Sequence, residues 1–564
     1  MEYIILIGVF LLCGVFVVVL QIRKDRIERK YFIASLKKNY GVLKERKYSP
    51  DRFSKMDTYF RKHPQKDQLD DITWNDLGMD ELFKRLNYTF SAVGEEYLYY
   101  TLRNVGNSIE ELEAREKLIS YFMKHEEQRI HLQCMAHDLG YLGKYSLYDY
   151  LDQLDYLGER SNKKHYFMIL LYLLSVALMP FQFTIGFVIF FALIVINVVN
   201  YFKEKKEIEP YIISFTFITR LMKAGEKFLK MPGLAEEPKI MEMTEMVKKN
   251  LRELKPLESS VIYLGGGGMK SGNPLEIVID YINMFFHIDL IRFNKMLSLV
   301  RNHIDDIDGL STVIGKIEMI IAVGAWRKNL QTNNGYCIPK LYETHTKLVV
   351  KNGYHPMVTN PVRNSIDACK SILLTGSNAS GKSTFLKMTA INAIFAQTIH
   401  TACAESYEAP MFRIFSSMAL KDDLIGKESY YIVEIKALGR ILKEANTQGR
   451  QVLCFIDEVL RGTNTVERIA ASCEILKNLQ QKGTRCFAAT HDIELTDLLS
   501  EFYDNYHFEE EIKDGDIVFP YRLMEGKATT RNAIRLLSII GYEEAIIENA
   551  EKRAERFIAS GTWS

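Results

Sequence analysis

The clearest chemistry in this 564-residue sequence lies in a glycine- and serine-rich loop, Gly-Ser-Asn-Ala-Ser-Gly-Lys-Ser, at residues 376–383. It fits the pattern G-x-x-x-x-G-K-[ST], in which glycines let successive backbone N–H groups face phosphate oxygens. Lys382 would reach the β- and γ-phosphates of a nucleotide, and the Ser383 hydroxyl would be a ligand of Mg²⁺. The residues predicted to bind the nucleotide here are Gly376, Ser377, Asn378, Ala379, Ser380, Gly381, Lys382, Ser383 and Thr384.

Two further polar groups follow apolar, strand-like runs. Asp457 and Glu458 come directly after residues 452–456, and His491 follows residues 484–490. Asp457 is placed to hold Mg²⁺, directly or through water, and Glu458 to orient and deprotonate an attacking water. The two carboxylates could also cap the next helix, and a lone histidine is often structural. Together with the upstream loop, the catalytic interpretation of Lys382, Glu458 and His491 is favoured.

A third candidate is Ser429, which precedes a predicted helix from about residue 430 to residue 446. The N–H groups at a helix N-terminus, together with a serine hydroxyl, can bind an anion. In a chain with one nucleotide site, such a serine could complete the site of a partner. An ordinary helix cap fits the spacing equally well.

These residues need a parallel sheet to hold them at one edge. Residues 371–375 read as a buried strand, and a helical pattern runs from residue 384 to about residue 397. From about residue 340, short apolar runs alternate with helical patterns, which is typical of a parallel α/β fold. Residues 23–160 and 203–330 have mostly helical patterns. We therefore expect an α/β P-loop domain joined to an all-α region.

The composition excludes several other classes of protein. Apolar residues make up 47% of the chain and charged residues 25%, which argues against disorder. The 72 basic and 71 acidic residues nearly cancel, so no overall basic excess points to nucleic acid. Eight cysteines without a C-x-x-C pair exclude a disulfide scaffold and a standard zinc module.

Two apolar segments predict contact with a membrane. Residues 3–20 carry no charge and would span roughly 27 Å as a helix, and a basic cluster follows them at residues 23–30. The basic residues follow the apolar run instead of preceding it, which favours an uncleaved anchor over a signal peptide. By the positive-inside rule, the chain after this anchor lies in the cytoplasm.

Residues 166–202 form the second segment, with 37 residues and no charged side chain. A single straight helix would be about 55 Å long, which is too long for one crossing. Pro180 and Gln182 predict a turn near the middle, and lysines at both ends favour a hairpin with both ends in the cytoplasm. The sequence thus predicts three crossings, with a re-entrant or interfacial pair as the alternative for this segment.

The motifs resemble those of the MutS family of DNA mismatch-repair ATPases. In place of the family's Thr-Gly-Pro-Asn-x-x-Gly-Lys-Ser-Thr the chain has residues 375–384, with Ser377 where proline is usual. The family's signature segment resembles residues 422–434 and puts its serine on Ser429. The other matching runs are Gly353-Tyr-His355-Pro356, Asp457-Glu458 with Arg461-Gly462-Thr463, Ala489-Thr490-His491 with Glu494-Leu495, and Gly526 through Ala533 with Gly541.

The resemblance implies an ABC-type ATPase fold that uses ATP and Mg²⁺ in a head-to-tail dimer, where Ser429 acts in trans on the partner's site. The dimer would form from two copies or with a sibling subunit. The domains then expected are a transmembrane anchor at 1–22, a cytoplasmic helical linker at 23–74, a helical core region at 75–165 and 203–340, a transmembrane hairpin at 166–202, an ATPase domain at 341–525 and a helical dimerisation segment at 526–564.

The chain also departs from the family pattern. A membrane helix stands where the family has its mismatch-reading domain, and too few residues follow the hairpin for a full DNA clamp. We therefore expect a membrane-anchored ATPase, cytoplasmic in its catalytic part, that couples ATP hydrolysis to DNA binding. The alternatives are an ATP-driven membrane switch without DNA and an ABC-type transport ATPase, whose Leu-Ser-Gly-Gly signature is absent from the sequence.

Overall fold

The computed structural model describes residues 2–43, 46–233, 237–261, 281–344, 347–377, 380–418, 430–461, 463–513, 516–528, 534, 537 and 541–560. The chain divides into two compact units. The first comprises residues 1–63, 87–100 and 117–326, and the second comprises residues 64–86, 101–116 and 327–564. A helical core together with mixed α/β sheets is the architecture expected from the sequence.

The first unit is built from helices. Buried aromatic and aliphatic side chains such as Phe215, Ile218 and Phe293 form its core. Its helices are α1 (Glu2–Lys38), α2 (Pro50–Phe53), α3 (Thr58–Lys62), α8 (Glu126–Leu139), α9 (Leu147–Gln153), α10 (Lys163–Leu178), α11 (Phe183–Leu229), α12 (Pro238–Val261) and α13 (Ile288–Asn302). Three helices have residues in both units: α6 (Ala92–Arg103), α7 (Ile109–Lys124) and α14 (Ile304–Asn333).

Helices α10 and α11 form the hairpin predicted for residues 166–202. The turn expected near Pro180 is confirmed, because α10 ends at Leu178 and α11 begins at Phe183. The two helices pack through the rings of Tyr172 and Phe190, whose centroids are 5.8 Å apart. Among the described residues, α11 alone is long and apolar enough to cross a membrane, and only 11% of its most apolar window is buried.

The predicted N-terminal crossing at residues 3–20 lies within α1, a continuous helix of 37 residues. Most of the side chains in this stretch lie outside the part of the chain that the structure describes. The predicted three crossings therefore remain a prediction, supported at α11 by length and composition.

The second unit contains the sheets. The strands are β1 (Lys340–Tyr342), β2 (Leu348–Gly353), β3 (Asn364–Ala368), β4 (Ser371–Gly376), β5 (Ser406–Pro410), β6 (Phe412–Ser417), β7 (Gln451–Asp457), β8 (Arg485–Ala489), β9 (Tyr503–Phe508), β10 (Glu511–Lys513), β11 (Asp516–Val518) and β12 (Met524–Glu525). The largest sheet has the order β12-β9-β4-β8-β7-β6, and its strands from β9 to β6 are parallel. A four-stranded sheet has the order β1-β5-β2-β3.

The second unit also contains helices. They are α4 (Asp71–Asp76), α5 (Met79–Leu86), α15 (Lys382–Thr398), α16 (Tyr430–Ala445), α17 (Thr465–Gln481), α18 (Glu494–Leu498) and α19 (Glu544–Ser560). Strands β4, β7 and β8 begin and end within a residue or two of the runs predicted for them. Because parallel strands share a carboxyl edge, the residues that follow these three strands come together there.

Helix α4 belongs to the second unit, although the sequence assigned residues 71–76 to a linker and to the helical region. Asp76 Oδ2 accepts hydrogen bonds from the Ser416 hydroxyl at 2.7 Å and from the Met418 N–H at 2.9 Å. The Thr73 hydroxyl accepts one from the Ser416 N–H at 3.1 Å. These bonds attach a segment from early in the chain to the end of β6.

Arg327 is a fully buried cation of the second unit with several hydrogen-bond acceptors around it. Its guanidinium donates to both carboxylate oxygens of Glu116, at 2.9 and 2.6 Å, and also to the Thr401 hydroxyl and the His400 carbonyl oxygen. Removing one partner of a buried pair leaves the other charge without compensation. Arg327 therefore contributes to stability through several acceptors at once.

We expect Arg327→Leu to lower the free energy of unfolding by roughly 3–5 kcal/mol, because Glu116 and two further acceptors lose the hydrogen bonds that Arg327 donates. Urea denaturation followed by tryptophan fluorescence measures this change. Lys328→Leu on the next, exposed position of α14 is the matched control and should change stability little. Equal effects of the two substitutions would contradict the role of the network.

Candidate functional site

The glycine-rich loop connects β4 to α15 as the sequence predicts. Gly376 closes the strand with φ 136°, and a Cβ at this position would lie 2.4 Å from the carbonyl oxygen of Phe508. Only glycine fits there. Gly381, with φ 112°, precedes the first residue of α15, Lys382. The helix therefore starts with its N–H groups toward the loop, where they can meet an anion.

Lys382 is the central cation of the loop and is 5% exposed. Its ammonium donates to the carbonyl oxygens of Gly376, at 2.7 Å, and Ser377, at 2.8 Å. Burial lowers the pKa of Lys382, while the carboxylates of Asp457 and Glu458 act in the opposite direction. The amine is thus held at the loop, close to the two carboxylates that were predicted to share its site.

Ser377 has a partner that the sequence did not indicate. Its hydroxyl donates to Glu510 Oε2 at 2.7 Å. Glu510 is buried and follows β9, the strand next to β4 on the side away from β8. Ser377 stands where the resemblance expects proline, so this bond is open to this chain and not to a proline-bearing loop.

Glu458 lies between the side chains of His491 and Arg461. His491 Nε2 is 2.8 Å from Glu458 Oε1, and Arg461 Nε is 2.6 Å from Glu458 Oε2. The hydrogen bond to His491 lowers the pKa of Glu458, burial partly opposes this, and the charge of Arg461 adds to the lowering. The carboxylate is therefore ionised at neutral pH. The structure brings together Glu458 and His491, as the sequence predicted.

The backbone around Glu458 is held in an uncommon conformation. Glu458 has φ 63° and Leu460 has φ 59°, the left-handed region that costs about 1–3 kcal/mol for such residues. The N–H of Glu458 donates to the carbonyl oxygen of Ala489 at 3.0 Å, which ties this turn to the end of β8. On the other side, Arg468 pairs with Asp492, next to His491. Both partners of the 2.8 Å contact are thus fixed by their own neighbours.

Asp457 ends β7 and is buried. Its Oδ1 has no hydrogen-bond partner among the described residues, and the nearest cation to Oδ2 is Arg461, at 3.8 Å. A buried carboxylate oxygen without a partner fits a metal ligand, because such an atom is otherwise costly. Ser383, exposed at the start of α15, lines the same cleft and offers a hydroxyl. These two residues fit the Mg²⁺ site that the sequence predicts.

The site residues line a cleft of about 800 Å³ in the second unit. His355 also lines it, and burial lowers the pKa of this imidazole to about 4, so that it is neutral. Its Nδ1 accepts a hydrogen bond from the N–H of Met357 at 3.2 Å. Tyr521 and Phe508 add aromatic surface. Of these three, the sequence singled out His355 by its resemblance and missed the two aromatic residues.

Glu434, the last residue of the signature resemblance, lies on α16. It is buried, and its Oε1 accepts a hydrogen bond from the N–H of Leu460 at 2.6 Å. Burial raises the pKa of Glu434. The signature helix is thereby joined to the loop that carries Glu458. Some of the predicted site residues lie outside the described residues, namely Asn378, Ala379 and Ser429 with the residues before it, 419–428. Their predicted roles remain predictions.

The described part of the cleft joins a buried ammonium, the N-terminus of a helix and two carboxylates. The first two can bind the phosphates of a nucleotide, and Thr384 is exposed beside them. The carboxylate of Glu458 is ionised and fixed, as a general base must be.

The comparisons with known proteins agree with this geometry. Residues 372–558 match the family model described as MutS domain V. The DNA mismatch repair protein MutS of Lactobacillus acidophilus is 29% identical over 283 residues, which cover 48% of this chain and 32% of that protein. MutS of Thermus thermophilus is 32% identical over 222 residues, or 38% of this chain and 27% of that protein.

The matches to these curated relatives cover about a third of their length or less. The family model extends from residue 372 to residue 558 and so includes the loop at 376–383, the end of β7 and the residues that follow β8. Over residues 372–558 the chain is therefore similar to MutS domain V.

Proposed function

We propose that the chain is a membrane-anchored ATPase that binds ATP and Mg²⁺ in the cleft of the second unit and hydrolyses the ATP. The observation that carries the proposal is the 2.8 Å contact of His491 with Glu458, which lines the cleft together with Lys382. Lys382 and the start of α15 bind the phosphates, and Glu458 accepts a proton from the attacking water. Ser383 and Asp457 would hold Mg²⁺, which would supply positive charge to neutralise the phosphates.

Full-length protein in lipid nanodiscs tests this proposal through two measurements, nucleotide binding and phosphate release. We expect both to require Mg²⁺, with the ATP-dependent signal lost when the ion is chelated. Protein that retains no nucleotide at millimolar ATP and Mg²⁺ would contradict the proposal.

The role of His491 predicts a change in the pH profile. The hydrogen bond from His491 lowers the pKa of Glu458, so His491→Ala should raise that pKa toward its ordinary value of 4.5. A base is active when deprotonated, so the acid limb of kcat should move to higher pH. The measurement is residual phosphate release between pH 4 and pH 8. An acid limb that stays at the wild-type pH would show that His491 does not set the pKa of Glu458.

The hairpin of α10 and α11 supports the membrane part of the proposal. Large apolar side chains point outward along both helices, among them Phe167, Leu173, Phe187, Phe191 and Val199. Water-exposed apolar surface of this extent is rare on soluble proteins, and lipid removes its cost. The protein should stay in the membrane pellet after an alkaline carbonate wash. Release into the supernatant would contradict the anchoring.

Two features of the curated relatives extend the proposal. The relatives are named DNA mismatch repair proteins, and the family resemblance implies dimers in which Ser429 completes the partner's site. We infer that ATP closes a dimer of this chain and that the closed dimer binds DNA. DNA affinity should fall steeply with salt, because phosphate contacts release counterions.

A membrane switch that does not bind DNA is the second candidate, and the exposed apolar hairpin favours it. A gel-shift experiment at low salt, with and without ATP, distinguishes the two. ATP-dependent binding that disappears at high salt supports DNA coupling, whereas its absence at every salt concentration supports the switch.

A further inference from the structure

Asn197 is a polar residue inside the longest charge-free run of the chain, yet it is only 1% exposed. Its Nδ2 donates to the carbonyl oxygens of Met284, at 3.3 Å, and Phe285, at 3.1 Å. Lys203, the first charged residue after it on α11, is six residues away, or about 9 Å along the helix. Met284 and Phe285 therefore lie beside a part of α11 that the proposed function places within the membrane.

These two carbonyl groups lie near the C-terminal end of a helical stretch of which residues 281–286 are described. Residues 281–286 are helical, and the backbone turns at His287, where φ is 53°, before α13 begins at Ile288. Carbonyl groups in the last turn of a helix have no partner within that helix. In water they bind solvent, but in hydrocarbon a protein group must satisfy them. Asn197 supplies such a group from α11.

The outer surface of the 281–286 segment is apolar. Tyr281 is 57% exposed, and Ile282 and Phe286 are exposed on one face, four residues apart. The inner residue, Asn283, is buried. Because Asn197 joins the segment to α11, its apolar face continues the exposed apolar surface of the hairpin.

Basic side chains mark the level at which the hairpin leaves the apolar region. Lys163 and Lys164 begin α10, while Lys203 and Lys206 follow the apolar run on α11, and all four are exposed. Lysines at such positions lie among lipid headgroups. Tyrosine, the residue at position 281, is enriched at the same interface.

We propose that residues 281–286 insert into the interfacial layer of the bilayer beside the hairpin, with Asn197 capping the inserted helix end. The segment is thus a further lipid contact, in addition to the hairpin and the N-terminal anchor. The inference rests on the proposed membrane anchoring. Interfacial helices bury their apolar face about 5–10 Å below the surface, which fits a shallow position for Phe286 and a deeper one for Phe191.

Quenching of tryptophan fluorescence by brominated lipids tests the insertion in full-length protein. Phe286→Trp probes the segment, Phe191→Trp probes the centre of the α11 crossing, and Val466→Trp, on an exposed site of α17, is the control. The wild-type protein gives the baseline for its own three tryptophans, of which Trp74 and Trp326 are buried and Trp563 lies outside the described residues. Tyr281→Trp replaces Phe286→Trp if that variant does not fold.

We expect Phe286→Trp to lose fluorescence with bromines placed near the headgroup, and Phe191→Trp to lose it with bromines deep in the acyl chain. Adding Asn197→Leu to Phe286→Trp should reduce the loss at residue 286. Quenching at residue 191 without quenching at residue 286 would overturn this inference and leave the anchoring intact. Quenching at neither position would overturn both, and equal quenching at residue 466 would overturn the inference by showing adsorption.

Discussion

Glu458→Gln is expected to retain nucleotide and to release phosphate roughly 10²–10⁴-fold more slowly, the range that a general base contributes. Glutamine keeps the size of the side chain and can still bond to its neighbours, but it cannot take the proton of an attacking water. The contact with His491 at 2.8 Å and the contact with Arg461 at 2.6 Å position the native carboxylate for that task.

Single-turnover phosphate release and nucleotide affinity, measured on the same preparation, separate hydrolysis from binding. The stalled protein should also accumulate as the ATP-bound dimer in sedimentation velocity experiments. Glu474→Gln on the exposed face of α17 is the matched control and should hydrolyse ATP at the wild-type rate. Wild-type turnover by Glu458→Gln would mean that another group is the base.

Lys382→Ala should abolish measurable ATP binding. Hydrogen bonds to charged groups contribute about 1.5–3 kcal/mol each. Lys382 is expected to form two such bonds, one to the β-phosphate and one to the γ-phosphate. Losing both weakens ATP binding by more than about 100-fold, since roughly 1.4 kcal/mol corresponds to a factor of ten. The Lys382 ammonium is held by the carbonyl oxygens of Gly376 and Ser377. Because residues 376–383 contain no other cationic side chain, no other residue of the loop can replace it.

Isothermal titration with a non-hydrolysable ATP analogue measures this loss. Lys482→Ala, at the exposed end of α17, removes the same charge far from the loop and should bind like the wild type. The thermal melting of both variants checks that folding is retained. Near-wild-type affinity in a folded Lys382→Ala protein would rule out the phosphate role of Lys382.

The core of the site was predictable because its signals are local. A strand, a glycine-rich loop and a helix are consecutive in residues 371–398. Asp457 ends β7, and His491 lies two residues after β8. Parallel strands bring such positions to one edge whatever the rest of the chain does. The turn at Pro180 was favoured for a similar reason, since proline lacks the N–H of a helical hydrogen bond, although α11 continues through Pro210.

The remaining features depend on contacts between distant residues. Asp76 accepts from Ser416 across 340 residues, and nothing in either local pattern pairs them. Glu510 is one carboxylate among 71 acidic residues until the fold places it 2.7 Å from Ser377. The bonds from Asn197 likewise join two separate apolar stretches. Periodicity identifies elements, but it does not identify such partners.

Helix α11 continues without interruption for 47 residues, from the hairpin turn through Pro210 into the core of the first unit. At 1.5 Å per residue it is about 70 Å long. If its apolar end spans lipid, a thinner or thicker bilayer tilts this end to match, since helices relieve hydrophobic mismatch by tilting. A tilt of only about 5° displaces the far end of such a rod by about 6 Å. Acyl-chain length would then act as a mechanical input to the helical core.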